Sequence, residues 1–359
     1  MDKSEINEIS ILKELLKESQ LEKTDYNEVF KDEKVILNRE KYHFPKINKE
    51  NINQAITKTQ NDKSFLFIDG GNINIFQTKN YSIDYIKING IKINKNNNKK
   101  IYQTDFFLLT EKIDQEIKYK LIENNNLNLE NFINKIKKII SEIKLTQTDL
   151  LNKNNIEFEN IPNIIRRTTE LLMGYELLNE NDAIIYDGTL ESHTEYEHHI
   201  IDLIKSKIEN QVIIGISKTN NFITNQDRQF TCLIYNFYPK ESFIYENAIV
   251  SKNKYHTANI DFIKFTEKTK YVFRTDSIYK KKQNYLHIIN ILCNFSNSSL
   301  LNGYPYYLIL TDELARITND KKEKLKFLLK ISIKKENQHL FEILDNSMNF
   351  HNKLDTLKF

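Results

Sequence analysis

Glycine is scarce in this chain, seven in 359 residues, and only Gly70 and Gly71 are adjacent. Folds that cradle nucleotide phosphates in glycine-rich loops need backbone without a Cβ to approach the ligand, so such ATP-binding architectures fit poorly. No P-loop, Gly-x-Gly-x-x-Gly, Gly-x-Ser-x-Gly or His-Glu-x-x-His occurs. Cys232 and Cys293 are the only thiols, both in segments that read as buried or half-buried. Two thiols permit neither a disulfide framework nor a cysteine-rich zinc site, and they suit a reducing intracellular setting. No apolar run reaches about 18 residues, and the amino terminus, MDKSEINEIS, is polar and acidic. Neither a membrane span nor a signal peptide is expected, and the expected location is the cytoplasm. An excess of one charge is missing too, with 52 Lys and Arg against 49 Asp and Glu. Any polyanion site must therefore be a local patch. The candidates are Lys95 to Lys100, Lys280-Lys281-Lys282, Lys321-Lys322 with Lys324 and Lys326, and Lys334-Lys335. Each of these runs taken alone reads as solvated surface.

What is present is a chain 40% hydrophobic and 11% aromatic, long enough for a substantial core. The excess of Asn, Lys and Ile looks like the coding bias of an AT-rich genome, so single Asn and Lys residues carry little signal. The stretch Ser64 to Asn72 (SFLFIDGGN) is a short apolar run, read as a buried strand, that ends at Asp69-Gly70. It is answered 118 residues later by Asp182 to Leu190 (DAIIYDGTL), which ends at Asp187-Gly188. Acids at the ends of central strands sit at a sheet rim, where ligands and metals lie. Either Asp-Gly alone could be an ordinary turn pair. Two together point to acids converging on one divalent metal.

Residues 4 to 22 place Ile6, Ile9, Leu12, Leu15 and Leu16 on one helical face, and a weaker helix follows near 50 to 60. Strands are expected at 64–69, 72–77, 81–95 (with Asn89-Gly90 as a hairpin turn) and 101–110. The pattern from 111 to 150 reads as helical, and Pro162 opens a helix to about 179. After the second Asp-Gly strand come a helix at about 191–208 and a buried strand, Val212 to Lys218. Strands pair around Phe262–Phe265 and Tyr271–Asp276, and helices follow at 285–295, 303–317 and about 320–348. The order of antiparallel strands, helices, strand, helix, strand is that of a ribonuclease H-like α/β fold, a mixed sheet flanked by helices, with added amino- and carboxy-terminal helices. In that arrangement the first and fourth strands are neighbours, and Asp69 meets Asp187.

Phosphodiester cleavage with divalent metals needs clustered hard oxygen ligands. A third acid is expected from the helix before the second strand, either Glu170 in Arg166-Arg167-Thr168-Thr169-Glu170 or Glu176. Lys218 ends its strand as the two aspartates do, and its ammonium could hold a phosphate or stabilise developing charge. Arg274 and Asp276 end another strand and could form a supporting pair. Asp312, beside Glu313 on a helix, reads from its neighbours as a solvated residue. His193 and His198 fall on different faces of their helix, so no histidine metal site is expected there.

The succession IDGG at 68–71, RRTTE at 166–170, IIYDGTL at 184–190, VIIGISK at 212–218, FIKF with VFRTD at 262–276, and GYPYYLILTDELARI at 303–317 resembles the NurA nucleases. The resemblance implies a ribonuclease H-like nuclease domain over 61–320, between an amino-terminal helical extension (1–60) and a carboxy-terminal helical segment (321–359). It implies manganese-dependent cleavage of DNA, with magnesium as a possible substitute and a two-metal site. It also implies 5′-to-3′ exonuclease action on single- and double-stranded DNA, with endonuclease action on single strands. Such nucleases form homodimers, stack on a hexameric HerA-type ATPase translocase, and resect DNA ends for recombinational repair. By position, Asp69 and Asp187 match the metal-binding aspartates, Glu170 the helical acid and Lys218 the lysine closing the next strand. Arg274 becomes a DNA-binding candidate. Two departures stand out. Gly71 replaces the usual Ser after the first Asp-Gly, and Thr311-Asp312 replaces Ala-His, which makes Asp312 a possible metal ligand. Two other readings remain: a non-catalytic scaffold of the same fold for DNA or a translocase, and an actin- or sugar-kinase-like ATPase.

Overall fold

The computed structural model describes residues 42–43, 52–54, 59–113, 116–123, 156–219, 222 and 229–336. In chain order the strands are β1 (Tyr42–His43), β2 (Ile52–Gln54), β3 (Phe65–Gln77), β4 (Tyr81–Ile93), β5 (Lys99–Ile113) and β6 (Glu116–Glu123). They continue with β7 (Ala183–Asp187), β8 (Val212–Ser217), β9 (Phe243–Ser251), β10 (Asn259–Lys264) and β11 (Phe273–Ile278). The helices are α1 (Ile161–Glu176), α2 (Glu195–Lys207), α3 (Phe230–Phe237), α4 (Lys282–Phe295), α5 (Tyr306–Ala315) and α6 (Asn319–Glu336).

One mixed sheet runs in the order β1-β9-β10-β11-β8-β7-β3-β4-β5-β6, with β2 also paired to β9. Strands β3 to β6 form an antiparallel meander. Strand β7 lies parallel between β3 and β8. Strands β11, β10 and β9 then extend the sheet antiparallel beyond β8. The central order β5-β4-β3-β7-β8, with α1 before β7 and α2 before β8, is the ribonuclease H-like arrangement. The parallel strands are apolar up to their carboxyl ends because helices cover them on both faces.

Alternation along the strands sorts the side chains into two cores. Leu66, Ile68, Ile184, Tyr186 and Ile213 point to the face covered by α1 and α2. Phe65, Phe67, Ala183, Ile185, Val212, Ile214 and Ile216 point to the face covered by α4 and α5. A third cluster packs α3 against β9 and β10, with Phe230, Leu233 and Ile234 turned inward. That spacing leaves Cys232 exposed, contrary to its expected burial, while Cys293 is buried.

Several boundaries differ from the sequence reading. The strand carrying Asp69 does not stop at Asp69-Gly70. It continues to Gln77, because β4 pairs along its whole length although β7 pairs only as far as Ile68. Asn89-Gly90 is no turn but lies inside β4. Gly90 is there for space: a Cβ on it would stand 3.1 Å from Met173 Sδ on α1 and 3.2 Å from Leu66 Cδ1. The reversal falls at 94–98, where the Asn94 carboxamide oxygen accepts from the backbone N–H of Asn96 and Asn98. Residues 116–123 are strand rather than helix, since Ile117, Tyr119 and Leu121 alternate onto the core. Ile52–Gln54, expected in a helix, pairs with β9 as does Tyr42–His43, so part of the 1–60 extension belongs to the sheet. The amphipathic stretch 4–22, all of 124–150 and the chain after 336 lie outside the described residues. Among the described residues, no helix is long and apolar enough to cross a membrane.

Candidate metal centre

Alternation decides which acids meet. Asp69 continues the row of Phe65 and Phe67, Asp187 that of Ala183 and Ile185, and Lys218 that of Ile214 and Ile216. All three therefore emerge on the α5 face of the sheet, at the carboxyl ends of the parallel pairing. Asp312 comes down from α5 onto the same spot. Single carboxylate oxygens of Asp69, Asp187 and Asp312 lie within 4.8 Å of one another.

The loop after β7 needs its glycine. Gly188 has φ +112°, a conformation that a residue with a Cβ rarely adopts, and its N–H donates to Ile216 O at 2.8 Å. Two further groups brace Asp187. The Tyr304 hydroxyl lies 3.1 Å from Asp187 Oδ1 and 3.0 Å from Ile216 O. Lys218 Nζ lies 2.6 Å from Asp187 Oδ2 and 3.6 Å from Asp312 Oδ1. Burial, together with the charge and hydrogen bond of Asp187, pushes the Tyr304 hydroxyl well above its usual range, so it stays a donor. Burial pulls the Lys218 ammonium down. The hydrogen bond and charge of Asp187, with Asp312 and Asp69 behind them, outweigh burial and hold it above its ordinary value.

The electrostatics are unbalanced. Burial pushes the Asp69 carboxyl up to about 8, and the negative charges of Glu170, Asp187 and Asp312 act in the same direction. The Gly70 N–H, 2.8 Å from Asp69 Oδ1, offsets only part of this. Three hard carboxylates from three elements, with one ammonium among them, form a donor set suited to a divalent cation such as Mn2+ or Mg2+. The centre opens outward: the Asp187 side chain is 13% exposed, that of Asp312 36% and that of Lys218 46%.

Glu170 stands apart from that group. It projects from α1, on the opposite face of the sheet, and it is buried. Arg166 pairs with its Oε1, and Arg167 Nη1 lies 3.0 Å from its Oε2. Arg166 Nη1 also donates to Gly70 O at 3.0 Å, and Arg167 Nη2 donates to Thr189 O. The RRTTE segment is thus a clamp: one carboxylate aligns two guanidiniums, and each grips the backbone just after one of the two strand aspartates. Glu176 lies six residues further along α1, about 9 Å from Glu170 by helical rise, which leaves Glu170 as the acid beside Asp69. A cleft of about 510 Å³ on this side is lined by Arg166, Arg167, Glu170, Asp187 and His193 among others.

Arg274, expected on DNA, is turned into the protein instead. Its Nε and Nη2 lie 2.8 and 3.1 Å from the Asp276 carboxylate, and its guanidinium stacks 5.3 Å from the Phe222 ring. Asp276 Oδ2 also lies 3.0 Å from His256 Nε2 and accepts from Leu190 N at 2.9 Å. The buried network thereby fixes the loop that follows Asp187.

Residues the sequence did not single out include Tyr304 and Asn89. Asn89 pairs with Asp69 across β3 and β4, is fully buried, and neither atom of its carboxamide has a hydrogen-bond partner. A polar residue at an inward-facing strand position was the available signal, but Asn-Gly reads more strongly as a turn.

Gly71 explains one departure from the NurA pattern. A Cβ there would stand 2.4 Å from Ala315 O, so the end of α5 is pressed onto β3 at a point where only glycine fits. That approach carries Asp312 into the centre.

No family model matches the chain, and no curated protein matches it. Among solved structures it is similar to the NurA nuclease from Sulfolobus solfataricus, with a TM-score of 0.52 and 12% identity over 94% of this chain and 98% of that one. A more remote likeness, TM-score 0.33 and 9% identity over 74% of this chain and 87% of that one, is to Ciona intestinalis endonuclease V in complex with a 24mer DNA. At such identity the first likeness establishes the fold, which is NurA-like.

Proposed function

We propose that the protein is a metal-dependent DNA nuclease of the NurA kind. The observation that carries this reading is the convergence of Asp69, Asp187 and Asp312 at the carboxyl ends of the parallel strands, with Lys218 among them, in a NurA-like fold. A divalent ion held there, manganese or magnesium, supplies Lewis-acid polarisation of a phosphodiester. The three aspartates are its ligands. Lys218 is half exposed and sits at the mouth of the centre, where its ammonium meets the scissile phosphate and the charge that develops on it. Tyr304 and the Asp276 network hold Asp187 and its loop in place. Glu170 works through Arg166 and Arg167, which fix the backbone next to both strand aspartates. The finer expectations belong to the same reading. They are 5′-to-3′ exonuclease and single-strand endonuclease action, a homodimer, a HerA-type translocase as partner, and DNA end resection in recombinational repair within the cytoplasm.

The test is a timed digest of end-labelled single- and double-stranded DNA in Mn2+ and in Mg2+, with wild type and Asp69→Asn. The proposal expects metal-dependent shortening from the 5′ end that the substitution abolishes. Binding without cleavage in either metal would instead make the chain a scaffold. Cleavage that survives in Asp69→Asn would refute the assignment of this centre.

A further inference from the structure

We infer that the cleft between β4, β5 and the α5–α6 junction binds a backbone phosphodiester of the strand being cut, next to the scissile one. This rests on the nuclease reading and adds a second anion site to it. The cleft holds about 340 Å³ and is lined by Tyr85, Lys87, Gln103, Asp105, Arg316 and Lys321 together with Ile317 and Thr318.

Its position follows from the sheet. Lys87 pairs with Gly71, two residues beyond Asp69 on β3, or about 7 Å along the strand. Lys87 shares the row of Ile91 and Ile93, so it emerges on the same face as Asp69 and Asp187. Arg316 follows α5 directly, and its Nη2 lies 3.2 Å from Asp312 Oδ2. One guanidinium thus touches both the metal centre and the cleft. Lys321, in the first turn of α6, closes the far side with its Nζ 5.6 Å from the Tyr85 ring centroid.

The charges are gathered rather than dispersed. Lys87, Arg316 and Lys321 line the cleft against one carboxylate, Asp105, which accepts from the Tyr85 hydroxyl at 2.8 Å. Burial lowers the Lys87 ammonium below its ordinary range, and Lys321 adds to this against the opposing pull of Asp105. Within the Lys321 to Lys326 run the roles divide. Lys326 pairs with Glu323 at 2.9 Å, while Lys321 turns into the cleft. Like charges brought together in a recess are stabilised by an anion. The site offers point charges to a phosphate, and its one ring carries Lys321 on its face rather than standing open to a base.

The test uses the full chain and a short fluorescein-labelled single-stranded oligodeoxynucleotide, with anisotropy read across a salt series in EDTA. Lys87→Gln and Lys321→Gln should each lower the slope of log K against log salt by about 0.7 for a lost phosphate contact. In Mn2+ both variants should raise KM for DNA, with the thermal midpoint held at the wild-type value. Variants with wild-type slopes and wild-type KM would overturn the site. So would a cleft whose variants lose affinity only for free ATP. A wild-type chain that binds no DNA at all would overturn the nuclease reading itself, a distinguishable result.

Discussion

Asp69→Asn should make the metal-free protein more stable, and by more as pH rises. Burial and the charges of Glu170, Asp187 and Asp312 lift the Asp69 carboxyl from 3.8 to about 8 in the folded chain. A carboxyl whose folded value is raised favours folding while it is protonated, below its unfolded value. That contribution is lost as pH climbs toward the folded value, because the unfolded chain ionises first. With 1.36 kcal/mol per unit, the cost is on the order of 1–2 kcal/mol at pH 5 and about 5 kcal/mol near pH 8. Asn keeps the shape and can still accept the Gly70 N–H, but carries no charge. Urea or thermal unfolding in EDTA at the two pH values, comparing variant and wild type, measures the difference directly. Manganese should narrow the gap at pH 8 and reverse the order at pH 5, where the cost is smaller. At about 100 times Kd a ligand adds about 2.7 kcal/mol to the protein that binds it, and the variant should gain far less. A variant less stable than wild type at pH 8 in EDTA, or equally stabilised by manganese, would show that Asp69 is not a strained metal-binding carboxylate.

Other substitutions probe the supports. Gly71→Ser should destabilise by about 1–3 kcal/mol, because its Cβ meets Ala315 O. It should also weaken manganese binding by shifting Asp312, as read in unfolding and metal titrations. Asp276→Asn breaks a buried pair and should cost about 3–5 kcal/mol at neutral pH. Although burial opposes its charge, Arg274 and His256 hold the Asp276 carboxyl far below its ordinary 3.8. This stabilisation is therefore present above that value and lost as pH falls through the folded one, so the gap from wild type should close in acid. Lys218→Gln should lower kcat on DNA by about 10²–10³ in saturating manganese, which steady-state digestion checks.

The sequence made the sheet core legible because parallel strands buried on both faces are apolar runs, and both Asp-Gly pairs end such runs. It showed Asp69, Asp187 and Lys218 on one face only implicitly, through the parity of each residue with its strand. Asp312 was visible only through the resemblance to the NurA nucleases, since by its local pattern an acid beside Glu313 on a helix looks like any solvated residue. What brings it in is the contact of Ala315 O with Gly71, a tertiary fit that no local pattern records. Glu170 was visible as an acid near the site, but its distance from the ligand group depends on which face α1 covers. Asn89-Gly90 misled for a physical reason: the pair is favoured in turns, and here Gly90 serves helix approach instead.

Carboxylates from β3, β7 and α5 are proposed to make one metal centre, with Glu170 outside it. Electron paramagnetic resonance of free Mn2+, titrated against the full chain near pH 8, reads out whether these three carboxylates hold the ion. The free-ion signal should be lost saturably with wild type and with Glu170→Gln, and recovered with Asp69→Asn, Asp187→Asn and Asp312→Asn. Undiminished manganese binding in Asp187→Asn and Asp312→Asn, or its abolition in Glu170→Gln alone, would contradict this assignment.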